Sequence, residues 1–259
     1  MVESFTLKYR LALVLAVLTG VAVLALLRMP AAFAWQTFLA GDPALRQFQL
    51  TGLEGSVWHG RAVQLRYGRL QAGPLRWDLA MLPLAWGELS ATVRVDVPHG
   101  FASGDVVLSS DVIALDDARF RLPLDLFAPL IYGSPFVPSG TLEGSLDSAI
   151  IEAGQRWQLS GTVVWENAGL AGVDGLDLGA IQLVLTPGEN GTHGVLRDRG
   201  GMLGIDGTLR IDAGGQYRLD AYLTPRAQVS DQLRSVLGFL GRADAQGRYT
   251  LRLNGRLMP

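Results

Sequence analysis

Apolar and polar residues alternate with a period of two along most of the chain. Clear runs are found at residues 63–67, 91–97, 217–223 and 249–254. Neighbouring side chains of a β-strand point to opposite faces, so each run predicts a strand with one buried and one solvated face, as in antiparallel sheets. Turn signals rich in Gly, Pro, Asn and Asp separate the runs, and their spacing predicts on the order of 12–16 strands.

The N-terminal region departs from this alternation. Residues 11–27 read LALVLAVLTGVAVLALL, a run without charge between Arg10 and Arg28. As a helix this run would be about 25 Å long, at the short end of what crosses a bilayer. We predict a cytoplasmic tail at 1–10, a transmembrane helix at 11–27 and a juxtamembrane segment at 28–47. The predicted membrane-spanning residues include Leu11, Leu15, Leu18, Val23 and Leu27.

A cleaved signal peptide is the alternative interpretation of the same region. Ala32-Phe33-Ala34 fits the small-x-small pattern of a cleavage site. The apolar run is longer than the roughly 7–15 residues usual in a signal peptide, which favours an uncleaved anchor. Both interpretations place the remainder of the chain across the membrane. The short basic tail and the absence of a second apolar run predict a single-pass protein with a cytoplasmic N-terminus and a periplasmic body.

The periplasmic body is predicted to be one mainly β region of long, twisted, mostly antiparallel sheet at 48–259, with two helical interruptions. Residues 124–132 predict a helical turn or two. Residues 230–240 predict a short amphipathic helix whose apolar stripe is Leu233, Val236, Leu237 and Leu240.

A short sequence repeat suggests an internal duplication. Leu53-Glu54-Gly55-Ser56 recurs as Leu142-Glu143-Gly144-Ser145. It predicts two similar halves, at 48–135 and 136–259. A chance match in a chain that contains 32 glycines is the alternative.

Composition narrows the function. The formal net charge is −2, which argues against a nucleic-acid partner. The chain has no cysteine and three scattered histidines, so we predict no metal, no cofactor and no catalytic residue. Asp116-Asp117 is predicted to be a solvated turn. Five tryptophans in or beside strands are predicted to pack in the core rather than line a groove: Trp58, Trp77, Trp86, Trp157 and Trp165.

Ordered motifs behind the apolar run point to a family. The first motif, G-x-x-W-x-G-R-A, contains Gly55, Trp58, Gly60 and Arg61, and Trp77 follows in LRWDL. Gly140 lies in the middle of the chain, in PSGTL. The C-terminal motif, D-x-x-G-R-Y-x-L-x-x-x-G, contains Asp244, Gly247, Arg248, Tyr249 and Gly255. In order and spacing, these residues resemble the type II secretion system protein N family along nearly the whole chain.

The resemblance implies a role without catalytic residues. It implies an inner-membrane accessory component of the apparatus that exports folded proteins from the periplasm across the outer membrane. Its partners would be other inner-membrane or periplasmic subunits of that apparatus. The chain is also similar, more distantly, to AsmA-like envelope proteins, whose curled sheets form apolar grooves associated with lipid handling. Binding or transfer of a lipid or apolar ligand is therefore the second hypothesis.

Overall fold

The residues that the structure describes form one antiparallel sheet of fourteen strands. The computed structural model describes residues 28–39, 47–130, 137–152, 155–171, 178–226, 233, 237–238 and 241–257. The strands are β1 (Phe48–Gly55), β2 (His59–Tyr67), β3 (Leu70–Ala72), β4 (Leu75–Ala80), β5 (Leu89–Val97), β6 (Gly100–Leu108), β7 (Val112–Pro123), β8 (Val137–Glu152), β9 (Arg156–Ala171), β10 (Ile181–Gly188), β11 (Gly191–Asp198), β12 (Leu203–Asp212), β13 (Gln216–Pro225) and β14 (Tyr249–Arg256). Each strand pairs with the strands before and after it in sequence, with one exception. The short β3 pairs with β2 only, and β2 also pairs with β4. The predicted mainly β, antiparallel architecture and the predicted number of strands are confirmed.

The register of the strands divides the sheet into two chemically different faces. Paired residues of adjacent strands share a face, and alternation carries that face along each strand. One face, here called the apolar face, runs through Leu75, Trp77, Val93, Val106, Leu115, Leu146, Val163, Leu183, Leu196, Leu209, Leu219 and Leu253. The opposite face, called the polar face, carries arginine, aspartate, glutamate, serine and threonine on the same strands. The alternation in the sequence is therefore realised across the whole sheet.

Three register shifts interrupt the long strands at the centre of the sheet, and one of them lies between Leu146 and Ser148 of β8. The register of β6 and β7 shifts beside Asp117, which has a φ of 48°. The register of β8 and β9 shifts at Gly140, which has a φ of 107°. A Cβ at Gly140 would lie 2.5 Å from two carbonyl oxygens of β9, so the backbones approach too closely for a side chain. The prediction of a solvated turn at Asp116-Asp117 is wrong, because both residues lie within β7. The irregularity there is the bulge at Asp117.

The described helical segments are short. Ala31–Ala34 forms one α-helical turn, α1, which continues as a π-helical turn at Trp35–Leu39. Two 3-10 turns lie at Pro83–Trp86 and Leu124–Leu130, and the second fits the helical turn predicted after Pro123. None of the helices among the described residues is long and apolar enough to cross a membrane. The predicted span, with Leu11, Leu15, Leu18, Val23 and Leu27, lies outside the described residues and remains a prediction.

The C-terminal part of the sheet bends back on itself at β9. Residues 161–165 in the middle of β9 pair with β10, whereas the backbone at Trp157 and Leu159 is contacted by β11. Thr192 of β11 makes this contact. Its hydroxyl donates to the carbonyl of Trp157 at 2.7 Å and accepts from the N–H of Leu159 at 2.9 Å. Thr192 is 1% exposed and is the one buried polar side chain of the described core.

Candidate functional site: the two faces of the sheet

The apolar face of the first strands forms an open groove of about 270 Å³. Its walls come from α1, β1, β4 and β5 and from the turn after β1. The lining side chains are aliphatic or aromatic: Ala31, Ala34, Trp35, Leu50, Leu53, Val57, Leu75, Trp77, Leu79, Leu89 and Val93. Ala31 and Ala34 are buried, so α1 packs on the apolar face and forms one wall of the groove.

The apolar face stays partly open beyond the groove. Leu89, Leu108 and Ile113 are paired in register across β5, β6 and β7, and each is 38–41% exposed. The buried positions of this region are mostly alanines, such as Ala62, Ala91 and Ala149. Small residues are covered by their neighbours within the sheet, whereas the large ones remain accessible to a ligand or a partner.

The apolar face of the last strands is closed by the C-terminal helical segment. Leu233 and Leu237 are 1% and 2% exposed and pack on Ile181, Leu203 and Ile205. Two members of the predicted amphipathic stripe therefore face the sheet; Val236 and Leu240 lie outside the described residues. The face is a filled core around these residues, whereas Leu253 on β14 is 46% exposed.

The polar face carries ion pairs within strands and between adjacent strands. Arg76 of β4 and Arg94 of β5 both bind Asp96, each at 3.0 Å. Arg121 of β7 binds Glu143 of β8 at 3.1 Å. These side chains are largely exposed, so each pair contributes little stability, and their main effect is to keep this face solvated.

The first family motif forms a tight corner between β1, β2 and β4. The indole Nε1 of Trp77 donates to the carbonyl of Val57 at 2.9 Å. The Trp77 ring covers Gly60 so closely that a methyl group there would overlap the ring. The carbonyl of the buried Trp58 accepts from the N–H of Leu79 at 2.6 Å. These contacts give the motif a structural role at the edge of the groove.

Gly55 and Arg61, the other residues of the first motif, lie on the neighbouring strands. Gly55 ends β1 opposite Gly60. Arg61 donates from Nε and Nη2 to one carboxylate oxygen of Glu54, at 3.0 and 2.6 Å. Both ends of this pair are exposed on the polar face.

The C-terminal motif forms the turn that leads into β14. One carboxylate oxygen of Asp244 accepts the backbone N–H groups of Gln246 and Arg248, both at 2.9 Å. The other accepts the Arg248 guanidinium at 2.9 Å, and that guanidinium stacks 4.6 Å from the ring centroid of Tyr222. The backbone hydrogen bond from Arg248 is the chief cause that lowers the pKa of Asp244, and the guanidinium adds to it.

The remaining motif residues are also explained by packing. Gly247 occupies the left-handed region in the same turn, with a φ of 74°. Tyr249 is partly buried against the core formed by Leu233 and Leu237. Gly255 lies against the ring of Tyr217 on the apolar face. With Gly140 in its bulge, these motif residues are distributed over the whole sheet and do not form one chemical centre.

Asp198 is the most enclosed carboxylate among the described ion pairs, at 10% side-chain exposure. Desolvation is the largest single influence on its pKa and acts to raise it. Hydrogen bonds from the backbone N–H groups of Ile205 and Gly200, together with the Arg226 guanidinium at 2.6 Å, outweigh that influence and hold the pKa below its ordinary value. Asp198 thus fastens the β11–β12 connection, a structural role that its sequence context did not reveal.

The tryptophans divide between core and surface. Trp58 and Trp157 are each 6% exposed, which confirms the predicted core positions. Trp77 lines the groove, although it was predicted to pack in the core. Trp86 is 76% exposed in the turn after β4, so its predicted core position is wrong. In the part of the chain that the structure describes, no three His, Asp or Glu side chains converge in a way that could hold a metal ion.

Comparison with known proteins identifies relatives over the same region as the sheet. A sequence profile described as "Type II secretion system (T2SS), protein N" matches residues 46–252. The type II secretion system protein N of Vibrio cholerae serotype O1 is 27% identical over 235 residues, which cover 86% of this chain and 90% of that protein. The protein of the same name from Aeromonas hydrophila is 28% identical over 219 residues, covering 81% and 84% of the two chains. No solved structure matches the chain.

Proposed function

The chain belongs to the type II secretion system protein N family, and on this premise we propose that it is a non-enzymatic, inner-membrane accessory component of the secretion apparatus. Residues 11–27 would anchor it, and the sheet would lie in the periplasm. There it would take part in export of folded proteins through contacts with other subunits. The observation that carries the proposal is the family match over 46–252, which spans thirteen of the fourteen strands completely.

A free sheet edge is the first surface that could make such contacts. In the described part of the chain, β14 pairs with β13 alone. The residues from Arg252 to Arg256 are exposed. The N–H of Leu257 donates to the carbonyl of Gly215, the residue just before β13, so by alternation the N–H of Asn254 points away from the sheet. An extended segment of another subunit could pair with these outward groups.

Proline substitution at this edge tests the contact. Asn254→Pro removes an outward N–H and leaves the bonds between β13 and β14 in place, because edge strands tolerate proline at such positions. Asn254→Thr is the matched control that keeps the N–H. We expect gene deletion to stop release of the secreted proteins, and Asn254→Pro to reduce release while Asn254→Thr does not.

The outcomes separate the role from the contact surface. Normal release after deletion, with no secretion subunit recovered by crosslinking in the cell, would refute the proposed role. A defect after deletion with normal release by Asn254→Pro would place the contact elsewhere on the protein.

Binding of a lipid or another apolar ligand is the second candidate, and the open groove favours it. A groove of about 270 Å³ is slightly smaller than the roughly 300–1,000 Å³ usual for small-ligand pockets, but the apolar face continues beyond it. Val93→Phe would fill the groove, whereas Val107→Phe adds the same volume on the polar face of the neighbouring strand. Native mass spectrometry of the purified chain should show bound lipid that Val93→Phe displaces and Val107→Phe retains. A chain without bound lipid would contradict this candidate.

A further inference from the structure

The turn between β4 and β5 exposes an unusual amount of apolar surface. Leu82 is 78% exposed and Trp86 is 76% exposed, and Met81 and Leu84 beside them are 42% and 39% exposed. Scattered single apolar residues are common on protein surfaces, but a cluster of this kind marks a site of interaction.

The backbone of this turn is well ordered by its own hydrogen bonds. The N–H groups of Ala85, Gly87 and Glu88 donate to the carbonyls of Leu82, Leu84 and Pro83, each at 3.1 Å. These three hydrogen bonds define the conformation of the turn, in which Leu82 and Trp86 are exposed.

The location of the turn indicates what covers it. The chain enters the described structure at the same end of the strands, where the N–H of Val57 donates to the carbonyl of Met29 at 3.0 Å and Pro30 bridges to Ser56. Leu27, the last residue of the predicted span, is two residues before Met29 and so within about 7 Å of it. A bilayer crossed by 11–27 would have its surface at this end of the sheet.

The turn lies close enough to reach the same surface. Only β2 stands between β1 and β4, so the turn is displaced by roughly 10 Å along the sheet at about 4.8 Å per strand. The interfacial region of a bilayer is itself about 5–8 Å deep on each side, and tryptophan is favoured there.

We infer that the Met81–Trp86 turn is a second membrane contact, in which Leu82 and Trp86 enter the lipid interface beside the anchor. The contact would fix the orientation of the sheet and hold the apolar groove beside the bilayer. This inference rests on the proposed membrane anchor. The test must therefore measure the membrane insertion of the anchor and of the turn independently.

Site-directed spin labelling of the full chain provides that test. The natural chain contains no cysteine, so each single-cysteine variant is labelled at one position only. Leu82→Cys and Trp86→Cys report on the turn, and Leu18→Cys reports on the anchor. His99→Cys, in the turn at the opposite end of β5 and about 30 Å away, is the matched control. The proteins are placed in vesicles of phosphatidylethanolamine and phosphatidylglycerol.

We expect collisions of the labels at 82 and 86 with a water-soluble nickel complex to be several-fold rarer than at 99, and collisions with oxygen to be more frequent. Labels at 82 and 86 that are as water-accessible as the label at 99, while the label at 18 is buried in lipid, would overturn the inference and leave the anchor intact. A water-accessible label at 18 would overturn the anchor and the inference with it.

A protein partner is the remaining occupant of the turn, and the same labels distinguish it. Labels at 82 and 86 that stay in water in vesicles but become immobile when other secretion subunits are added would refute the membrane contact. The double variant Leu82→Ser/Trp86→Ser provides an independent check. Because both positions are exposed, we expect the double variant to unfold as the natural chain does. If the variant loses the membrane contact, a spin label on the neighbouring Glu88→Cys should become more accessible to water.

Discussion

The apolar face is covered over part of the last strands and open over β5–β7. In β9–β14, Ile181, Leu203 and Leu223 are each less than 9% exposed because the C-terminal helical segment packs on them. In β5–β7, Leu89, Leu108 and Ile113 occupy the same face and are 38–41% exposed. The same alternation thus produces a stabilising core where a distant segment returns to the sheet, and an exposed apolar surface where none of the described segments does.

The largest expected effect comes from opening the closed end. Leu237→Ala removes a side chain that is 2% exposed and leaves a cavity, so it should lower the free energy of unfolding by about 2–5 kcal/mol. Leu89→Ala, on the open end of the same face, should cost roughly 1 kcal/mol or less because part of that side chain is already in water. Urea unfolding of both variants measures the difference. Equal losses would mean that the two ends are covered alike.

The contact that bends the sheet back at β9 is the next in size. Thr192→Val keeps the volume but leaves the carbonyl of Trp157 and the N–H of Leu159 without their partner, at an expected cost of about 1–3 kcal/mol. Thr192→Ser keeps the hydroxyl and should retain more of the stability than the valine variant. A valine variant as stable as the serine variant would show that these hydrogen bonds do not hold the bend.

The corner beside the open groove gives a comparable effect by crowding. Gly60→Ala places a methyl group against the Trp77 ring and should cost about 1–3 kcal/mol as the ring is displaced. Gly238→Ala makes the same change at a helical position. There the added methyl group would have no described atom within 4 Å outside its own helix, so we expect no loss of stability. Thermal unfolding compares the two. An unchanged midpoint for Gly60→Ala would mean that the corner adjusts without strain.

The smallest effect is a dependence on pH at the closed end. The folded-state pKa of Asp198 lies below its ordinary value, so the stabilisation is fully present above the unfolded-state pKa and is lost as pH falls through the folded-state pKa. Asp198→Asn should therefore be less stable than the natural chain at neutral pH, and the difference should shrink below about pH 4. Arg226→Gln keeps the two backbone donors and should cause a smaller loss. A difference that stays constant down to pH 3 would exclude this linkage.

The strands and their two faces could be predicted from the sequence, because both depend on the alternation of neighbouring residues. Val93 and Val95 alternate with Thr92 and Arg94, and this fixes both the strand and its two faces. The positions of Trp77 and Trp86 were not predictable in this way. Both follow strand patterns, but Trp77 lines a groove completed by α1, and Trp86 lies in a turn that projects from the sheet.

The repeated tetrapeptide illustrates the same limit. Glu54 and Glu143 both lie on the polar face and pair with arginines, Arg61 and Arg121. Arg61 belongs to the strand that follows its glutamate, whereas Arg121 belongs to the strand that precedes it. The two copies of the tetrapeptide therefore do not make equivalent contacts. The division into halves at 48–135 and 136–259 remains a prediction.

The sequence by itself determined the mainly β class, the family and the existence of one apolar and one polar face, because strand formation and alternation depend on residues next to one another. The tertiary structure alone decided which part of the apolar face is closed and which is open. That outcome depends on where α1 and the segment of Leu233 and Leu237 pack, and on the bend held by Thr192. These contacts join residues far apart in the chain, and burial of apolar surface against a distant segment is not encoded in any local pattern.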